Sequence, residues 1–172
     1  PRASFQQGEA RRYRIAFRRT GRAAFESHLD LVRLVPRVFR RAELEMFYSQ
    51  GFHPKPEMVF GPALSLGVST LDDYVDVKLA CDADPEKLPA MLQPGAPDGL
   101  RFVAAARLGP NDPGISKVVD ATEYVAAVPW SWLRAQGFAD LDAVKAHVAA
   151  KREGPLVVVR KIDGLGKKGL IV

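Results

Sequence analysis

The chain has 172 residues, is 47% hydrophobic and 26% charged, and carries a formal net charge of +5. These proportions suit a globular protein with length for one large domain or two small ones, and no apolar run approaches the ~18 residues of a membrane span. The single cysteine, Cys81, excludes an intrachain disulfide framework, a thiolate zinc site and an iron–sulfur cluster.

Strand alternation begins at Arg12, with Tyr13, Ile15 and Phe17 on one face and Arg12, Arg14 and Arg18 on the other. Thr20-Gly21 ends that strand. Ser27 is a good helix N-cap, and Asp30 stands where its carboxylate can complete a capping box. Leu31, Val35, Val38 and Ala42, with Phe39 beside them, form the apolar stripe of the helix that follows. Pro36 removes one hydrogen bond inside it and predicts a bend. An aromatic, proline-stiffened loop runs from Phe47 to Pro56, and a short strand covers Glu57 to Phe60. Tyr74 to Leu79 alternates again, with Val75, Val77 and Leu79 inward. Asp84-Pro85 opens a helix through Leu92, and Leu100 to Leu108 is a fourth strand.

Over residues 12–108 the order is therefore β-α-β-β-α-β, the split βαβ or ferredoxin-like pattern. Gly109 to Gly114 has a linker's composition. A second unit over residues 115–172 reads as a strand (Val118–Val128), a short helix (Ser131–Gln136), a helix capped by Asp140, a strand (Leu156–Arg160), a turn at Asp163-Gly164 and a strand from Gly169. The expected fold is thus α+β, with two tandem ferredoxin-like units, the second a partial β-α-β-β. No secretory apolar segment is visible, so a cytoplasmic protein is expected.

Charge is unevenly placed. Residues 1–60 hold 12 basic and 6 acidic side chains, and 11 of the 12 cations are arginine. The planar guanidinium fork suits phosphate. Arg12, Arg14 and Arg18 on the open sheet, with Arg33, Arg37, Arg40 and Arg41 on the helix, could track an RNA backbone. Tyr74 could stack a base, and the aromatic loop adds Tyr48 and Lys55. The competing reading is that Arg14 pairs across the strands with Asp76, or that the surface is merely solvated. His28, in the first helical turn, and His53, in the stiff loop, could act as general acid and base on a ribose hydroxyl if they converge. Otherwise His28 serves the helix start and His53 packs the loop. No phosphate-cradling glycine loop, nucleophile elbow or metal-binding spacing is present, so no cofactor is expected on this chain.

The segments Ser27-His28-Leu29-Asp30-Leu31, Tyr48-Ser49-Gln50-Gly51-Phe52-His53-Pro54, Leu64-Ser65-Leu66-Gly67 and Tyr74-Val75-Asp76-Val77 together resemble the bacterial radical-SAM-linked proteins, an uncharacterised family. Pro36 and Ala63 depart from that family's pattern. The resemblance implies a radical SAM partner that would carry the cofactors, and it implies no established activity. The two-unit fold is also similar to CRISPR repeat-processing endoribonucleases, at the level of architecture alone. The expected function is RNA recognition, tRNA included, beside a radical SAM protein. A metal-independent endoribonuclease using His28 or His53 and a protein-docking adaptor are the alternatives.

Overall fold

The computed structural model describes residues 7–152 and the backbone of 158–160 and 169–171. Contacts divide the chain into two compact units, Pro1–Thr122 and Glu123–Val172.

In the first unit, β1 (Arg11–Arg19), α1 (His28–Arg41), β2 (Met58–Phe60), β3 (Thr70–Leu79), α2 (Leu88–Leu92) and β4 (Leu100–Leu108) follow one another. A 3-10 turn, Gly21–Phe25, joins β1 to α1. The strands form one antiparallel sheet in the order β2-β3-β1-β4. The element order expected for residues 12–108 is therefore present. The alternation of β1 decides which way the sheet faces. Tyr13, Ile15 and Phe17 are buried with Val75, Val77 and Leu79, and α1 lays Val35, Val38 and Phe39 on them, with Leu88 and Leu92 of α2 alongside.

α1 starts where the sequence predicts. The Ser27 hydroxyl accepts the Asp30 backbone N–H at 3.2 Å, and the Asp30 carboxylate accepts the Ser27 N–H at 3.0 Å. Two of the four open donors of the helix start are thereby satisfied. The helix passes through Pro36 to Arg41. α2 is shorter than expected and begins at Leu88. Pro89 has no N–H with which to close an earlier turn, and Asp84 instead accepts the backbone N–H of Glu86 at 3.1 Å. At the free edge of the sheet, the Gln93 side-chain amide donates to the Leu100 carbonyl and accepts from the Phe102 N–H, at 3.1 and 3.0 Å. A bulge follows at Val103, where the β1–β4 register shifts.

The stretch with a linker's composition is a strap across the other face of the sheet. It turns through Asp112, whose carboxylate accepts the Gly109 N–H at 2.6 Å, and ends in α3 (Ile115–Val118). Ile115 is buried, and α3 lies against β2 and β3. The face expected to be open is thus partly covered.

The second unit contains α4 (Trp130–Ala135), α5 (Leu141–Arg152) and an antiparallel pair, β5 (Val158–Arg160) with β6 (Gly169–Ile171). Gly137, with φ +91°, follows α4, and Asp140 accepts the Ala143 N–H at 2.8 Å at the start of α5. The expected strand Val118–Val128 is absent: Val118 closes α3, and residues 119–129 form neither helix nor strand. Its neighbours Tyr124 and Val125 are both exposed, whereas alternation in a half-buried strand would cover one of them. The described part of this unit is α-α-β-β, and the tandem ferredoxin-like arrangement is not reproduced. The expected turn at Asp163-Gly164 lies outside the described residues.

Candidate functional site

Alternation sends Arg12, Arg14 and Arg18 to the face of the sheet opposite α1, and there each meets protein. Arg12 donates to the carbonyls of Gly109 and Asp112 at 3.1 and 3.0 Å. Arg14 forks onto Asp76 at 2.7 and 2.9 Å and also donates to the Pro113 carbonyl at 2.8 Å. Arg18 donates to the Leu71 carbonyl at 3.1 Å. Tyr74 is half-buried, and its hydrogen bond to Asp72 is the main cause raising its hydroxyl's pKa. The sheet arginines hold the strap and the β3 edge, and the pairing of Arg14 with Asp76 that the sequence left open is the one formed.

The helix arginines have a different setting. α1 buries Leu31, Val35, Val38 and Phe39, which leaves Arg33, Arg37, Arg40 and Arg41 exposed on its far side. The sheet lies between them and Arg12, Arg14 and Arg18, so the seven guanidinium groups form two sets on opposite faces. Arg41 donates to the Gly95 carbonyl at 3.2 Å, and Arg33 lies near enough to Asp30 to favour its ionised form. Arg37 and Arg40 have no hydrogen-bond or ion-pair partner among the described residues. Arg33 and Arg37 border a depression of about 400 Å³ with Glu26, Asp30 and Leu34. Arg40 and Tyr48 share a second depression of about 580 Å³ with Pro36, Glu43 and Glu45. Lys55 is exposed in the neighbouring loop, which closes through a Ser49 N–H to Lys55 carbonyl bond at 2.9 Å.

The two histidines are not brought together by any hydrogen bond or ring contact among the described residues. The His28 ring stands edge-on to Phe60 with centroids 5.5 Å apart, close to the Asp73 carboxylate. His53 is exposed in its loop. No group of three or more His, Cys, Asp or Glu side chains among the described residues is arranged to hold a metal ion.

Sequence reasoning missed a buried charged cluster beside His28. Arg19 is only 3% exposed; it donates to the Glu26 carbonyl at 3.2 Å, while its Nε stands 3.9 Å from Asp73 without a hydrogen bond. Glu26 Oε2 is buried and likewise lacks one. Burial raises the pKa of both Glu26 and Asp73; the charge of Asp30 adds to the effect at Glu26, and Arg19 opposes it at both. The signal was present in β1: the register that turns Tyr13, Ile15 and Phe17 inward turns Arg19 inward as well.

A family model described as an uncharacterized protein conserved in bacteria (DUF2344) matches residues 12–168. No curated protein matches the chain. No helix among the described residues is long and apolar enough to cross a membrane.

Proposed function

The chain belongs to that bacterial family of uncharacterised proteins, and we propose that it is an accessory module that holds RNA on the outer face of α1 and acts beside a partner protein. The observation that carries this reading is the pair Arg37 and Arg40. Both are exposed, one turn apart, and free of any carboxylate partner among the described residues. Arg33 extends the row. At ~1.5 Å of rise per residue the row advances about a phosphate at a time along a strand. Tyr48, beside Arg40, offers a ring to an unpaired base. Arg12, Arg14 and Arg18 do not enter this reading, because the donors of Arg12 and Arg14 serve the strap and Arg18 donates to the Leu71 carbonyl of β3.

The partner is a radical SAM protein, on the resemblance carried by Ser27–Leu31 and Tyr48–Pro54, and it would bring the cofactors. The sheet order β2-β3-β1-β4 supports reading the first unit as ferredoxin-like.

The test is titration of labelled tRNA with the full chain, read by fluorescence anisotropy between ~0.05 and ~0.2 M salt. Binding that weakens with salt, with the log–log slope falling by about one for Arg37→Ala and again for Arg40→Ala, is the expected result. Binding that both variants leave untouched overturns the assignment. RNA cleavage in EDTA that is lost on His28→Ala would replace the module with an endoribonuclease.

A further inference from the structure

Four large apolar side chains stand in solvent at the N-terminal end of α1. Phe25, in the turn before the helix, is 69% exposed; Leu29 and Val32, three residues apart on α1, are 65% and 37% exposed; Leu66 is 65% exposed. The loop carrying Leu66 is fixed beside Phe25, since the Gly67 N–H donates to the Ala24 carbonyl at 2.9 Å and a Cβ on Gly67 would lie 3.5 Å from the Phe25 ring. The adjoining stripe, Leu31 and Val35, is already buried in the core, so the fold itself makes no use of these four. A grouped apolar surface of this kind marks an interaction site.

We infer that this patch is a docking site for an amphipathic helix of a partner protein, one whose apolar face is flanked by acidic residues. Charge selects the occupant. Arg22 borders the patch, exposed and without an ion-pair or hydrogen-bond partner among the described residues, and Arg33 borders it on α1. Of the nearby carboxylates, Asp30 lies close enough to Arg33 to offset part of its charge, while Glu26 has one oxygen buried, so Arg22 stands unopposed among the described residues. A second copy of this chain would bring Arg22 and Arg33 against themselves. A polyanion would gain nothing from Leu29, Val32 or Leu66. Leucines at i, i+3, i+4 and i+7 on an acidic helix fit both features. This inference goes beyond the RNA reading, because the patch includes neither Arg37, Arg40 nor Tyr48 and meets the RNA row only at Arg33 on its border.

The experiment uses the full chain and two labelled synthetic helices with the same leucine pattern, one flanked by glutamate and one by lysine, in ~0.1 M salt. The acidic helix binds and the basic one does not. Leu29→Asp and, independently, Leu66→Asp each weaken binding by about tenfold or more, while tRNA affinity changes by less than about threefold; Arg33→Glu weakens the acidic helix and improves the basic one. Equal binding of both helices, or acidic-helix binding that neither aspartate variant alters, overturns the inference. Self-association that Leu29→Asp abolishes, or binding to phosphatidylserine vesicles in place of the acidic helix, overturns it in favour of a second copy or a lipid surface. Loss of tRNA binding with helix binding intact removes the RNA reading alone.

Discussion

Arg14 and Asp76 face each other across β1 and β3, and the same carboxylate that takes both arms of the guanidinium also accepts the Ile115 N–H, at 2.8 Å. One ion pair thus ties the central strands to the strap. Its side chains are only 18% and 11% exposed, so breaking it leaves a nearly buried charge alone. Asp76→Ala should cost about 3 kcal/mol, read as a lower urea midpoint, with faster hydrogen exchange at Ile115. Arg14→Met combined with Asp76→Leu should cost less than Asp76→Ala, the remaining loss coming from the Ile115 N–H left without its acceptor. Equal exchange at Ile115 in wild type and Asp76→Ala would show that the strap is held by other means.

Arg14→Ala is also expected to leave the salt dependence of RNA binding unchanged at temperatures where it remains folded, whereas Arg37→Ala lowers it. The comparison separates arginines that hold the fold from arginines that face a ligand. A smaller salt slope for Arg14→Ala would return the sheet face to the binding surface.

Acidity acts on two kinds of carboxyl group here. Burial lifts the folded pKa of Glu26 and Asp73 above their ordinary values of about 4.3 and 3.9. Their contribution to stability is therefore complete below those unfolded values and is lost as pH rises through the folded ones. Asp30 and Asp84 are lowered, chiefly by the Ser27 hydroxyl and the Glu86 backbone N–H respectively. Their contribution is complete above about 3.9 and disappears as pH falls through the folded values. Glu26→Gln should accordingly be more stable than wild type near neutral pH, with the advantage vanishing below about pH 4, as urea unfolding at the two pH values would register. An advantage that persists in acid would place the effect in packing.

Gly99 joins β4 to the turn before it at φ +86°, and a Cβ there would stand 2.2 Å from the Thr20 carbonyl oxygen. The Thr20 N–H also donates to the Gly99 carbonyl at 2.9 Å, so the two chains cannot part freely. Gly99→Ala should cost more than about 1 kcal/mol. An unchanged denaturation midpoint would mean that the Thr20 turn moves aside.

What the sequence made legible was local. Tyr13, Ile15 and Phe17 alternate because one face of β1 is core, and Ser27 and Asp30 are three residues apart because a capping box requires it. These signals place β1 and α1 to within a residue or two. The strap was illegible for the opposite reason. Gly109, Asp112 and Pro113 offer carbonyls to Arg12 and Arg14 from about a hundred positions away, so nothing in their own composition separates them from a linker. The same long-range contacts redirected the sheet arginines from ligand to fold. Val118–Val128 has the residues of a strand, but among the described residues no ladder neighbour fixes it as one. Arg19 stood in the inward register throughout, yet an inward arginine is a reading that alternation alone does not favour.

The amide of Gln93 has a consequence for how the molecule behaves in a crowd. β4 is the outer rim of the sheet, the place where a stranger's backbone would zip on and fibre growth would start. By occupying the rungs at Leu100 and Phe102, one glutamine impersonates the missing neighbour and denies that start. Beyond it the Val103 bulge puts the rim out of step, so an invading chain meets an obstruction before it reaches the alanine run.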